Sequence, residues 1–326
     1  MLSHQKNLSE MEKKICFIGK HFLGEEVIAV EQSHEGEFNQ VFTLKLTHKK
    51  VILKIFNQPD FPERGKDIWL NALLSKHAIA HAKLIYYSRA SRYFKYGFSL
   101  YEFVGGENAR QNIETGKLTQ EQFAERQARL LKKLHQIKLK KYGYKMTSDL
   151  LLFMLAPLQE LKDDDWIAEN KIGKEVDIGI ARVQQIMSKY GDRCQPVLTH
   201  GDCAPKNTIF SPKKGDVLID WDNCEGNLWI ADLSYLLFWF EHDQVDPKII
   251  KAYEQAFFTG YGQPQDFSIA EINEIILALQ IRQAIMFLPY FLLERQNMEE
   301  FQLVKRLLIK LVNIPPDHFQ MIADAR

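Results

Sequence analysis

The sequence predicts an α+β protein: a small antiparallel β lobe with one helix, followed by a larger, mainly helical lobe. Three observations lead there. The first third alternates apolar and polar residues at strand spacing around a single helical stretch. A "GGEN" at 105–108 punctuates the end of that region. Beyond it the apolar residues recur at helical spacing. The lobes are therefore placed at 1–104 and 105–326.

Taken in order, "EVIAVEQ" (26–32) is a short β-branched run. "NQVFTLKLT" alternates, with Phe42, Leu44 and Leu46 on one face and Thr43, Lys45 and Thr47 on the other. "KVILKIF" follows a tight polar turn at His48 and Lys49, so the three runs form an antiparallel meander. "PERGKDIWLNALLSKH" reads as a helix with Pro62 in its first turn and Trp69, Leu70, Leu73, Leu74 and His77 toward an apolar side. "AKLIYYS" and "YGFSLYEFV" are two further strands. In the second lobe, helices are expected over 119–140, 149–161, 173–189, 232–241, 269–293 and 299–312. Short apolar runs interrupt them at "PVLTHGD", "NTIF" and "DVLIDWD".

The chain has 326 residues, enough for two lobes with a sizeable core, and 46% hydrophobic against 26% charged residues is ordinary for a globular protein. Lys plus Arg and Asp plus Glu balance at 42 each, which leaves no basic excess for a general nucleic-acid binder. Cys16, Cys194, Cys203 and Cys224 share no C-x-x-C spacing and read as reduced thiols, without a zinc site or disulfide framework. The N-terminus has no apolar run long enough for a secretory signal. The most apolar long stretch, 275–293, is broken by Gln280, Arg282, Gln283 and Pro289 and reads as a buried helix. A cytoplasmic protein with neither a membrane nor a nucleic-acid partner is expected.

The polar residues suggest a chemistry. Phosphoryl transfer requires a cation on the nucleotide phosphates, oxygen donors for Mg²⁺ and an acceptor for the hydroxyl proton. Protein kinases place these in an H-R-D-x-x-x-x-N loop followed by a metal-binding Asp. Here His200-Gly201-Asp202 precedes Asn207 at the same Asp-to-Asn interval, and Asp220 ends the apolar "VLI". Asn207 and Asp220 offer the hard oxygens that Mg²⁺ prefers. Lys54 shares a strand face with Ile52 and Phe56. The plain alternatives are a turn between two strands for the loop and an edge lysine reaching solvent for Lys54.

"HGDCAPKN" and "IDWD" resemble the H-G-D-x-x-x-x-N loop and metal strand of the aminoglycoside phosphotransferase and choline kinase superfamily. Asp232 in "ADLSYL" is similar to that family's following helix start, and His135 in "KKLHQI" to a packing histidine. The resemblance implies a bilobal protein-kinase-like fold and a small-molecule kinase that uses ATP or GTP with Mg²⁺ on a small hydroxyl acceptor. It assigns Asp202 as proton acceptor, Asn207 and Asp220 as metal ligands and Lys54 as the phosphate-binding lysine, with Asp67 favoured over Glu63 as its acidic partner. His200 would fix the loop backbone. Gly36 and Asn39 would belong to the phosphate loop, and backbone near Glu102 and Val104 would meet the base. The loop departs from the glycine-rich pattern, because Glu35 and Glu37 flank Gly36.

Two rival readings follow. A protein kinase is disfavoured because no D-F-G, A-P-E or long activation segment follows Asp220. A catalytically weak pseudokinase that binds nucleotide or a partner draws support from the altered loop, against the intact set Lys54, Asp202, Asn207 and Asp220. Finally, 215–247 holds eight acids, Asp216, Asp220, Asp222, Glu225, Asp232, Glu241, Asp243 and Asp246, and no Lys or Arg. With Trp221, Trp229, Tyr235 and Trp239 nearby, that field would favour a cationic acceptor such as an amino sugar or amino alcohol. Asp232 is expected to cap a helix.

Overall fold

The computed structural model describes residues 9–33, 38–264, 266–315 and 319. It divides into two compact units. The first joins residues up to Asn108 with Thr208–Asp222, and the second joins Ala109–Asn207 with the chain from Asn223 on. A single cut near 104 therefore does not describe the packing, because the hairpin at 208–222 returns to the first unit.

In the first unit, α1 (Glu10–Leu23) is started by Ser9 and Glu12, each side chain accepting from the other's backbone N–H. Five strands follow: β1 (Val27–Ser33), β2 (Gln40–Leu46), β3 (Lys50–Ile55), β4 (Leu84–Ser88) and β5 (Phe98–Glu102). They form one antiparallel sheet in the order β1-β2-β3-β5-β4, so β3 is the central strand. Phe42, Leu44 and Leu46 from β2 join Val51, Leu53 and Ile55 from β3 in the core, with Ile15 and Ile18 of α1. The alternation read from the sequence is the inward face of this sheet.

The helix after β3 is α2 (Lys66–Lys76), which starts later than Pro62. Its buried face carries Lys66, Asp67, Leu70 and Leu74, while His77 is exposed. β6 (Glu107–Asn108) pairs with β8 (Thr208–Ser211), which pairs with β9 (Gly215–Leu218). Gly106 permits this approach: a Cβ there would stand 2.4 Å from the Phe210 carbonyl oxygen.

The second unit contains α3 (Ala109–Glu114), α4 (Gln120–Leu134), α5 (Leu150–Lys162), α6 (Asp165–Glu169), α7 (Gly173–Tyr190), α8 (Ala231–His242), α9 (Pro247–Tyr261), α10 (Ile269–Pro289) and α11 (Met298–Asn313). A short antiparallel pair, β7 (Val197–Thr199) and β10 (Glu225–Asn227), stands among them. α4 packs along α9, and α10 touches α5, α7, α8 and α11. By length and composition Ile269–Glu294 is apolar enough to cross a membrane, yet 61% of its most apolar window is buried by these neighbours. It is the core helix of this unit.

Candidate functional site

Within the first unit, the central strand delivers Lys54 to a buried position, 7% exposed, which removes the edge-lysine alternative. Its Nζ forms a close ion pair with Asp222 Oδ1 and lies 3.6 Å from Asp220 Oδ1. Burial alone would lower the Lys54 pKa, but Asp222, Asp220 and Asp67 outweigh it and hold the ammonium well above its ordinary value. Asp222 is held from three sides. Asn39 Nδ2 donates to its Oδ2 at 2.8 Å, Lys54 takes Oδ1, and Lys66 Nζ donates to its backbone oxygen at 2.8 Å. Asn39 Oδ1 also accepts from the Asn57 amide at 3.2 Å.

The acid expected beside Lys54 is therefore placed differently. Glu63 is engaged by Lys66 at 2.9 Å. Asp67 is buried, with its Oδ2 lacking a partner among the described residues, and acts on Lys54 through its charge and not through direct contact. Burial pushes the Asp67 pKa up, while Lys54 and a hydrogen bond from Tyr101 oppose that rise. Asp222, which meets Lys54 directly, was not expected as its partner. Its signal was present as the second acid of "IDWD", two positions beyond Asp220.

Asp220 adopts φ +59°, the left-handed region that a non-glycine residue enters at a cost. It follows β9, so the strained residue aims one carboxylate toward Lys54 from the end of a fixed strand. Asp220 and Asp222 are hard oxygen donors, and Mg²⁺ needs only one or two carboxylates when phosphate and water complete its shell. The residues fit that ion in kind. Among the described residues there is no group of three or more His, Cys, Asp or Glu of the sort that cages a metal without such help. The Glu102 carboxylate accepts from Lys214 at 2.7 Å, which holds its pKa below the ordinary value, and Val104 is buried. Gly36, Glu35 and Glu37 lie outside the described residues.

The second unit builds the loop between β7 and β8. Asn207 closes a 3-10 turn and its Nδ2 donates to both the backbone oxygen and Oδ2 of Asp202, each at 2.9 Å. Lys206 Nζ is 3.7 Å from the same Oδ2. Gly201 has φ +77°, and a Cβ there would meet the Asn223 carbonyl oxygen at 2.3 Å, so only glycine passes this point.

The loop hangs on Asp232. Its Oδ2 accepts from the His200 amide at 3.0 Å and its Oδ1 from the Gly201 amide at 2.8 Å. His135 Nε2 meets Oδ2 at 3.0 Å, and His135 Nδ1 meets the Tyr261 hydroxyl at 2.9 Å. Burial would raise the Asp232 pKa, but these contacts from His135 and His200 hold it low. Asp232 makes no helix-capping bond, so its expected role as a cap is corrected: it anchors the loop. His135 likewise does more than pack. The Asp202 amide donates to His200 Nδ1 at 3.3 Å, the backbone-fixing role expected of His200. Gln127 completes the support by donating to the Cys203 carbonyl and accepting from Tyr253. Burial pushes the Cys203 thiol pKa well up, which keeps it protonated.

Most of the acidic field is committed internally. Asp220 and Asp222 face Lys54, Asp232 holds the loop, Glu241 pairs with Lys310, Asp243 with His242, and Asp246 caps α9. Trp229 stacks on Tyr261 at 4.8 Å. Glu225 accepts from Asn227 at 2.8 Å and sits opposite Thr199 on the strand that feeds the Asp202 loop. A cavity of about 280 Å³ in this unit is lined in part by Lys138, Arg193 and Trp229 and includes none of Asp202, Asn207 or Glu225.

Comparison with solved structures finds the same fold. A thermostable mutant of aminoglycoside phosphotransferase APH(4)-Ia, in a ternary complex with AMP-PNP and hygromycin B, superposes with a TM-score of 0.68 at 14% identity, covering 94% of this chain and 98% of that one. Choline kinase LicA from Streptococcus pneumoniae gives 0.65 at 18% identity, covering 93% and 99%. Spectinomycin phosphotransferase APH(9)-Ia, with ADP and spectinomycin, gives 0.57 at 16%, covering 94% and 98%. No curated protein matches the chain. The fold is thus α+β and protein-kinase-like. The phosphotransferase enzyme family, APH, matches residues 30–267, well over half of the 326 residues, and the chain belongs to that family as a phosphotransferase acting on hydroxyl groups.

Proposed function

We propose that the protein transfers the γ-phosphoryl group of a nucleoside triphosphate, ATP or GTP, to a hydroxyl of a small molecule in the cytoplasm. The observation that carries this reading is the Asp202–Asn207 pair: one amide donates to both a carboxylate oxygen and the backbone oxygen of Asp202, in a loop anchored by a buried acid. In the reaction the acceptor oxygen bonds to the γ-phosphorus, the bond to the β–γ bridging oxygen breaks, and the nucleoside diphosphate leaves. Asp202 orients the hydroxyl and takes its proton. Lys54 turns from its carboxylates to the phosphate oxygens. Asn207 and Asp220 would hold Mg²⁺, with Asp222 as a further oxygen. Bound there, Mg²⁺ neutralises phosphate charge.

The finer reading of the acceptor as an amino sugar or amino alcohol rests on the excess of acids over 215–247, a stretch with no Lys or Arg. The test is acceptor-stimulated release of nucleoside diphosphate, run beside a thermal shift with nucleotide, with and without Mg²⁺. Stimulation that Asp202→Asn abolishes supports the kinase. Nucleotide binding without turnover across a broad panel of hydroxyl compounds would leave the pseudokinase.

A further inference from the structure

On the buried face of α4, Gln127 stands among Phe123, Ala124, Ala128, Leu131 and Leu134 and is 1% exposed. A polar side chain is costly in such a place unless both ends of its amide are satisfied. Both are. Its Nε2 donates to the carbonyl of Cys203, the residue after Asp202, and its Oε1 accepts from the Tyr253 hydroxyl of α9. Tyr253 is itself 1% exposed, and its ring meets Phe240 edge-on at 5.1 Å. Burial pushes the Tyr253 hydroxyl pKa well above its ordinary value, so the group stays a donor.

The chemistry allows one orientation of this amide. A backbone carbonyl accepts and cannot donate, so Gln127 must turn its NH2 to Cys203 and its oxygen to α9. The Tyr253 hydroxyl enforces that choice, because the inverted amide would set one oxygen against another. α9 also reaches the other side of Asp202. The Tyr261 hydroxyl meets His135 Nδ1, His135 Nε2 meets Asp232, and Asp232 holds the His200 and Gly201 amides. Two tyrosines of one helix thus support the loop before and after Asp202.

Resting on the kinase reading above, we propose that Gln127 and Tyr253 are positioning residues for Asp202. They fix the peptide that follows it, so that its carboxylate meets the acceptor hydroxyl in one geometry. Without the Gln127 donor the Cys203 carbonyl is buried and unpaired, and rotation of its peptide toward another donor carries Asp202 with it. Transfer is sensitive to such a displacement, because the carboxylate must stay within hydrogen-bond reach of the attacking hydroxyl.

The experiment measures release of ADP from MgATP with water, ethanolamine, D-glucosamine and D-glucose as acceptors, at temperatures where circular dichroism shows each variant fully folded. Gln127→Leu is expected to lower kcat about 10- to 100-fold and Tyr253→Phe about 3- to 10-fold, with KM for MgATP within about twofold of the parent. Tyr253→Phe adds no further loss to Gln127→Leu, because the hydroxyl acts through the amide. Gln127→Glu gives a signature that packing alone would not. A protonated acid, like the amide, donates at one end and accepts at the other, whereas a carboxylate has no donor for Cys203. Burial raises the pKa of such an acid, to about 8–9 where burial is complete. Its kcat relative to the parent is therefore expected within about threefold of one near pH 6.5 and at least about tenfold lower near pH 9.5. Parent-like kcat in Gln127→Leu and Tyr253→Phe, where Asp202→Asn abolishes release, overturns the proposal and leaves the kinase reading standing. A loss confined to KM, or a Gln127→Glu ratio that is flat with pH, overturns it equally. If the Gln127 variants do not fold, Tyr253→Phe decides, and an unchanged kcat there is enough to reject the proposal. If no release depends on Asp202 with any of these acceptors, both readings fall.

Discussion

Lys54 and Asp222 form a buried ion pair that joins the central strand of the first sheet to the segment following β9. Removing one member strands the other charge, whereas removing both does not. Asp222→Asn alone is expected to cost on the order of 3 kcal/mol in urea unfolding, and Lys54→Met with Asp222→Leu clearly less than the sum of the two single changes. Additive losses would mean that the pair is not coupled.

Asp202→Asn keeps the shape and the Asn207 contact to the backbone oxygen but removes the carboxylate proposed to accept the proton. Transfer should fall by at least about two orders of magnitude while nucleotide affinity is largely kept. Turnover near that of the unchanged protein would exclude the assigned role.

Asp220→Asn is a clean probe of the metal, because asparagine tolerates the left-handed backbone found at this position. Folding stability should stay within about 1 kcal/mol while Mg²⁺-dependent nucleotide binding weakens about tenfold or more. Urea unfolding reads the first, and calorimetric titration of nucleotide with and without Mg²⁺ reads the second.

Glu254 gives a pH dependence of stability. Burial raises its pKa from an ordinary 4.5 to about 8, with the charge of Glu241 adding to the rise. Between those values the folded chain holds a proton that the unfolded chain has lost, so this contribution is full below about 4.5 and is lost as pH climbs through about 8. Glu254→Gln should flatten that slope and be more stable than the parent above pH 8, on the order of 1–3 kcal/mol. Parallel melting curves for parent and variant from pH 5 to 9 would count against it.

Much of the fold was legible because periodicity and packing agree. Phe42, Leu44 and Leu46 alternate in sequence and enter the core together. Ser268 with Glu271 announces α10, and the two are a capping box in the structure. α1 was not expected, although Met11, Ile15, Ile18 and Phe22 have helical spacing. α9 was hidden by the charged "HDQVDPK" before it, whose Asp246 and Pro247 are in fact a helix start.

The site was legible where local spacing sets it, as with Asp202 and Asn207. It was not where contacts span long separations. Nothing local indicates that Asp222 would meet Asn39, Lys54 and Lys66, or that Asp232 would carry the His200 and Gly201 amides.

The chain passes between its packing units after Asn108, again after Asn207 and once more after Asp222. Fifteen residues of the first unit are thus borrowed from far along the sequence, and they include the edge partner of β6 and the counter-ion of Lys54. A chimera made by exchanging only the first hundred residues with a relative would therefore separate each lysine from the carboxylate that evolved with it. A graft that carries residues 208–222 along with 1–108 keeps hairpin, strand and charge together. The inherited unit that holds the Lys54–Asp222 pair is a discontinuous one.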